Sequence, residues 1–232
     1  MDLLERIQSR KSFRARLETR PVPREELLRV LEAARWSPSA HNMQNWEIVV
    51  VDDPDLLEAL EKADRPVSEA FVRENYQQLS FCKEELLRRK TGLMASMFPV
   101  AWQKPDFKAD ALEESGLSSP QPQMRLGPVL LVVLYDPRRR APASEGDFLG
   151  VISLGCLMEN LWLEAEALGL GVRIVSGLED AQGLKDTLGI PEHLRVAFSV
   201  RLGYPAREPT GYLRVRRNVE DFTYYNQYGT KK

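Results

Sequence analysis

Histidine and cysteine are scarce in this chain, with two of each among 232 residues. Cys82 and Cys156 have no CxxC spacing, which excludes a disulfide framework and a cysteine metal centre. His41 and His193 belong to no HExxH pattern and to no carboxylate-plus-histidine pair, so a histidine metal site is not expected. Each reads as a surface or loop residue. There is no GK[ST], hence no Walker phosphate loop, and no GxSxG elbow. "GLGVRI" comes nearest to GxGxxG but lacks its third glycine. Adjacent carboxylates such as Glu25/Glu26 and Glu84/Glu85 lie at different helix angles and read as solvated faces. These absences leave room for chemistry carried by a cofactor, which the protein need only bind and orient.

Net charge is also missing: 32 basic against 34 acidic side chains leave a formal −2, which argues against nucleic acid as a bulk electrostatic partner. The longest charge-free run, "TGLMASMFPVAWQ" at 91–103, is too short to span a bilayer. The opening "MDLLERIQSRKSF" is charged almost at once and carries no apolar signal core. With 43% apolar and 28% charged residues, the expectation is a soluble, cytoplasmic globular protein without a membrane partner.

What is there is an interleaving of helix and strand signals. Residues 2–9 suggest a short helix. Residues 24–36 form the clearest amphipathic one, with Leu27, Leu28, Leu31 and Ala34 toward the core and Glu25 and Glu26 in the first turn. "WEIVVV" (46–51) reads as a strand stopped by "DDPD". Residues 54–90 read as one or two charged helices. From 91 to 125 the pattern dissolves into a Pro-, Ser- and Gln-rich stretch, whose Phe98, Trp102 and Phe107 either cover a pocket or anchor the loop. "PVLLVVLY" (128–135) is apolar throughout and reads as a buried central strand. In 147–168, 14 of 22 residues are apolar, which predicts a helix buried on several sides and open to sharing with a second subunit. A capping glycine and strand follow at 169–175, then a short helix at 179–188. Finally "LRVAFSVRL" alternates Leu194, Val196, Phe198, Val200 and Leu202 against Arg195, Ala197, Ser199 and Arg201. This order predicts an α/β or α+β chain with one central sheet.

Two basic clusters stand out. Residues 1–24 carry Arg6, Arg10, Lys11, Arg14, Arg16, Arg20 and Arg24 against Asp2, Glu5 and Glu18. That bias is a solvated helix face, a nucleic-acid patch or the cradle of a small anion. Arg10-Lys11-Ser12 places two cations and a hydroxyl in three residues, a set suited to a phosphate dianion. In the tail, Arg214 and Arg216 face the same way if 213–217 is extended. Between these clusters, "SPSAHNMQNW" (37–46) is more polar than a turn requires.

In this order the motifs resemble the nitroreductase family of FMN-dependent oxidoreductases. The likeness begins in "RKSFRARLETRPVPREELLRVLEAARWSPSAHNMQNWEIVVVDDP". It resumes at "GCLMENLWLEAEALGLGVRIVSGL" and continues through "LGIPEHLRVAFSVRLGYPA" into the basic tail. It covers about two thirds of the chain and leaves 54–125 unmatched. The resemblance implies an α+β fold, a central mixed and largely antiparallel sheet flanked by helices, and an interlocked homodimer with FMN at the subunit interface. It implies one domain over 1–232, with a variable excursion at about 54–125 and a C-terminal arm at about 204–232.

By the same resemblance, Arg10, Lys11 and Ser12 hold the FMN phosphate and ribityl chain, and Arg214 and Arg216 complete the phosphate site. Pro38, Ser39, Ala40 and Asn42 reach the flavin edge from the other subunit. Val175, Ser176 and Gly177 pass beside the ring. No side chain is expected to act as acid or base, because flavin N5 carries the chemistry. NADH or NADPH gives up a hydride, which a nitroaromatic, quinone or similar small-molecule electrophile then receives in a ping-pong cycle. The alternatives are a specialised flavin homologue, of reductive dehalogenase or FMN-cleaving type, a flavin binder without turnover, and a nucleic-acid module. Two letters depart from the family: Asn45 and Asn218 stand where it commonly has proline. Its mid-chain flavin contacts have no assignable match in 70–125.

Overall fold

The computed structural model describes residues 2–13, 16–63, 70, 72–95, 104, 127–175, 181–206 and 213–231. In chain order the elements are α1 (Leu3–Ser9), α2 (Arg24–Arg35), β1 (Glu47–Val51), α3 (Pro54–Ala63), β2 (Ser80–Phe81), α4 (Lys83–Arg89), β3 (Leu93–Met94), β4 (Val129–Tyr135), α5 (Phe148–Ala167), β5 (Gly171–Val175), α6 (Gln182–Leu188), β6 (Arg195–Gly203) and α7 (Val219–Phe222). Backbone contacts divide the chain into two compact units, Met1–Asp64 with Gln123–Glu208 and Arg65–Pro122 with Pro209–Lys232. The second unit draws on the two stretches that the sequence sets apart as an excursion and a C-terminal arm. Phe98, Trp102 and Phe107 lie outside the described residues.

The first unit is built on a four-stranded sheet in the order β1-β4-β6-β5, antiparallel at every pairing. β4 is central because both of its faces are apolar. Val129, Leu131 and Val133 pack into one core, and Leu130, Val132 and Leu134 into the other. The first core is closed by α2 and α5, through Leu27, Val30, Ala34, Leu157 and Leu161. The second is closed by Leu57 and Leu60 of α3 with Leu184 and Leu188 of α6. Burying each such leucine contributes about 1.5–3 kcal/mol.

Three local departures from the sequence pattern have physical causes. In α2 the buried stripe is Leu27, Val30 and Ala34, while Leu28 is 52% exposed. The spacing i, i+3, i+7 keeps one side of a 3.6-residue turn, and i+1 leaves it. In β6 the register shifts, so that Val133 pairs with Phe198 but Leu134 with Val196. The extra residue, Ala197, turns the alternation over. Leu194 and Val196 therefore serve the α3/α6 core, and Phe198, Val200 and Leu202 the α2/α5 core.

The third departure is α5. By length and composition it could cross a membrane, with a mean hydropathy of 1.3, yet Leu154, Leu157, Leu161 and Ala165 pack it into the core. On its other side Phe148, Val151 and Ile152 are 63%, 51% and 48% exposed. Burial on several sides is thus not reached within one chain. At its C-terminal end Gly169 takes the left-handed conformation (φ 77°) that lets the chain turn into β5.

In the second unit β2 and β3 form a short parallel pair around α4. Glu85 of α4 is gripped by Arg88 and Arg89, and these hydrogen bonds hold its carboxyl down at about 2. Asn218 caps α7 in a reciprocal box with Asp221 and accepts a hydrogen bond from Lys90 Nζ at 3.1 Å. That accounts for an asparagine at this position.

Candidate functional site

Helix α5 holds two of the sequence-predicted groups, each by polar residues seven positions apart on an otherwise apolar helix. Glu159 and Glu166 hold the basic segment. The Lys11 backbone N–H donates to Glu166 Oε1 at 2.7 Å. Arg10 Nε lies 3.0 Å from Glu159 Oε1, an ion pair by distance without hydrogen-bond alignment. The Arg10 guanidinium also stacks 4.3 Å from the centre of the Trp162 ring. The indole Nε1 of Trp162 is buried without a hydrogen-bond partner.

Beyond Ser12, Phe13 is buried and its N–H donates to Val172 O at 2.8 Å, so the segment leans on the outer edge of β5. The close approach needs Gly171: a β-carbon there would fall 2.9 Å from Phe13 Cγ. α1, which leads into the segment, begins with a capping box between Asp2 and Glu5.

The loop 37–46 is held by the other polar pair. Asn160 Nδ2 donates to Ser37 Oγ at 3.0 Å, and the Ala40 N–H reaches Ser153 Oγ at 3.3 Å. Ser37 is buried, whereas Pro38 and Asn42 are exposed and Ser39 and Ala40 half-buried. His41, Asn42 and Gln44 take φ of 51°, 52° and 46°. Non-glycine residues in this region cost of order 1–3 kcal/mol each and persist only where the surroundings over-determine them. Here the Gln44 N–H donates to Ser39 Oγ at 3.0 Å, and Gln44 Nε2 to Asn42 Oδ1 at 2.9 Å.

At 100° per residue, the Ser153/Asn160 stripe and the Glu159/Trp162/Glu166 stripe stand roughly 140° apart around α5. The loop and the basic segment of one chain are therefore on different sides of the helix. The exposed Phe148, Val151 and Ile152 fall on the side of the basic segment, toward the helix N-terminus.

Beside the loop lies the turn after β4. Asp136 is buried and accepts from Arg138 through the backbone N–H (3.0 Å), Nε (2.9 Å) and Nη2 (2.8 Å). The Arg138 side chain is the main reason its carboxyl is held down at about 2.

The remaining predicted residues are placed as follows. Val175 ends β5, paired with Ser199, and Ser176 and Gly177 lie outside the described residues. Arg214 and Arg216 belong to the second unit, on a stretch without regular structure, and Arg216 turns back to donate to Val215 O at 2.7 Å. The residues that sequence reasoning missed are Ser153, Glu159, Asn160, Trp162 and Glu166. For all but Trp162 the signal is polar letters seven apart in "FLGVISLGCLMENLWLEAEA", interrupting an apolar helix.

The fold is of the α+β class, a mostly antiparallel sheet flanked by helices. The chain belongs to the nitroreductase family, whose model matches residues 7–204. A curated relative from Methanothermobacter thermautotrophicus, provisionally named NADH dehydrogenase/NAD(P)H nitroreductase, is 30% identical over 103 residues. That match covers 44% of this chain and 52% of the relative, so the chain spans about half the length of the curated relative it matches.

Among solved structures, an iodotyrosine deiodinase bound to FMN and 3-iodo-L-tyrosine superposes with TM-score 0.62 and 23% identity, over 99% of this chain and 100% of that one. An FMN-dependent nitroreductase from Clostridium difficile R20291 gives TM-score 0.60 and 16% identity, over 97% and 100%. An FMN-bound nitroreductase from Bacteroides fragilis NCTC 9343 gives 0.56 and 20%, over 97% and 98%. At these identities the likeness is one of fold, and the fold is nitroreductase-like.

Proposed function

We propose that the protein is an FMN-dependent oxidoreductase that passes a hydride from NADH or NADPH to a nitroaromatic, quinone or similar electrophile. The observation that carries this reading is the Arg10-Lys11-Ser12 segment, docked through Arg10 and Lys11 on the Glu159/Glu166 side of α5 within a chain of this family. Bound FMN supplies reversible hydride exchange at ring N5. The residues fit its phosphate: two cations and a hydroxyl on consecutive positions, with the Arg10 guanidinium immobilised on Trp162. Glu159 offsets part of the charge of Arg10, which is a physical reason for Arg214 and Arg216 to be needed as further cations.

In this reading the whole chain, 1–232, acts as one FMN-binding domain, completed as a homodimer. The exposed stripe of Phe148, Val151 and Ile152 supports a second copy along α5. Pro38, Ser39, Ala40 and Asn42, turned away from their own basic segment, serve the flavin of the partner. Val175, with Ser176 and Gly177, lines the ring. These residues bind and orient, and none moves a proton; placing the donor carbon near N5 supplies much of the rate. A ping-pong cycle follows if donor and acceptor use one cleft in turn.

The test is purification. The expected protein is yellow, with a flavin spectrum that bleaches under NADH or NADPH without oxygen and returns when an acceptor is added. Colourless protein that refuses added FMN overturns the reading. The deiodinase-like fold gives one reason to include iodotyrosine in the acceptor screen. Turnover of it alone would favour the reductive dehalogenase alternative.

A further inference from the structure

Asn45 is the last side chain of the loop before Trp46 and β1, and it is placed to do what the backbone there cannot. β1 pairs with β4 as far as Glu47 opposite Leu134. Past that point the main chain curls away, with the Trp46 N–H satisfied by Gln44 O at 2.9 Å. The Asn45 side chain takes over the pairing. Its Nδ2 donates to Asp136 O at 2.8 Å and to Arg139 O at 3.0 Å, and its Oδ1 accepts from the Asp136 N–H at 3.3 Å. Both amide protons and the amide oxygen are thus used on one turn. That turn is itself rigid, closed by Arg139 N–H to Asp136 O at 3.1 Å and by the Arg138 fork on the Asp136 carboxylate. On the other side of Asn45 lie the left-handed Gln44, Asn42 and His41.

We propose that Asn45 is a positioning residue: it clasps the Ser39–Gln44 loop to the end of β4 and so sets where Pro38, Ser39, Ala40 and Asn42 meet the flavin edge. The proposal rests on the reading of this loop as a flavin-edge loop. It assigns to the loop a geometry supplied in part from a strand end about ninety residues away in sequence, by the hydrogen bonds of one side-chain amide.

The test compares full-length wild type with Asn45→Ala and Asn45→Asp. The aspartate keeps shape and an acceptor but turns an oxygen toward two carbonyls, so its effect should equal or exceed that of alanine. Asn45→Ser replaces alanine if that variant fails to fold. Amide hydrogen exchange is read on flavin-free protein, and FMN affinity and the visible circular dichroism of bound flavin on the reconstituted protein.

In Asn45→Ala the amides of 40–46 should exchange at least about tenfold faster and FMN should bind about tenfold more weakly, with an altered flavin dichroism. Exchange over 10–13 should stay near wild type. Unchanged exchange over 40–46 overturns the clasp. Faster exchange with unchanged FMN affinity and dichroism overturns the positioning role and leaves a structural bond only. Wild-type protein that never takes up FMN overturns the flavin reading and the positioning role with it, while the exchange data still decide whether Asn45 holds the loop.

Discussion

The basic segment 10–13 and the loop 37–46 hang on the same helix, two turns of it each, but by opposite means. The segment is held by charge: a backbone N–H on the Glu166 carboxylate and a guanidinium between Glu159 and Trp162. The loop is held by neutral groups, Ser37, Ser39, Ser153, Asn160 and the Asn45 amide, against a strained backbone. Charge-assisted contacts respond to salt and to charge removal. Neutral, directional bonds respond to shape. The first arrangement suits a site that must grip an anion, and the second suits one that must hold an edge at a fixed distance.

The largest effect should come from Arg10→Ala combined with Ser12→Ala, which removes a cation and a hydroxyl from the proposed phosphate site. FMN affinity, measured by fluorescence quenching, should fall by about a hundredfold or more. Exchange over 37–46 should be unmoved. Retained flavin would show that the phosphate lies elsewhere.

Next is Glu166→Ala, which strips the acceptor from Lys11 N–H without touching either cation. An affinity loss of about tenfold is expected. A loss as large as that of the double variant would mean that segment and helix are not separable in the way described.

The smallest effect concerns the turn that Asn45 binds. Asp136 is held at about 2, below the roughly 3.9 of an ordinary aspartate. A depressed carboxyl contributes stability that is present above the ordinary value and lost as pH falls from about 4 toward 2. Arg138→Ala should therefore lower the melting temperature above pH 5 and converge with wild type as pH falls below 2. Its exchange signature should appear over 40–46 and not over 10–13. A uniform offset at every pH would remove Asp136 from the account.

Most elements were legible because periodicity reports burial directly, as in the unbroken "VLLVVL" of β4 and the amphipathic α2. Two kinds of information were not. The exchange of faces in β6 depends on one extra residue opposite β4, which perfect alternation in "LRVAFSVRL" conceals. Side chains that brace a site, such as Asn45 on residues 136 and 139, act across long separations in sequence that local patterns do not see. The cations at 10 and 11 were legible as chemistry; the carboxylates that hold their segment were visible only as interruptions in α5. The exposed side of α5 escaped the sequence because an apolar composition does not say which sides of a helix meet a core.

Gly171 has a consequence for how this protein can change. Its missing side chain is what lets Phe13 lie against β5, one residue from Ser12. A single methyl group there would run into the Phe13 ring and the Leu17 side chain. The register of the basic segment is thus coupled to the size of one residue on a sheet edge. If residues 10–12 hold the cofactor as proposed, drift at this position would loosen that hold through a residue outside the basic segment itself.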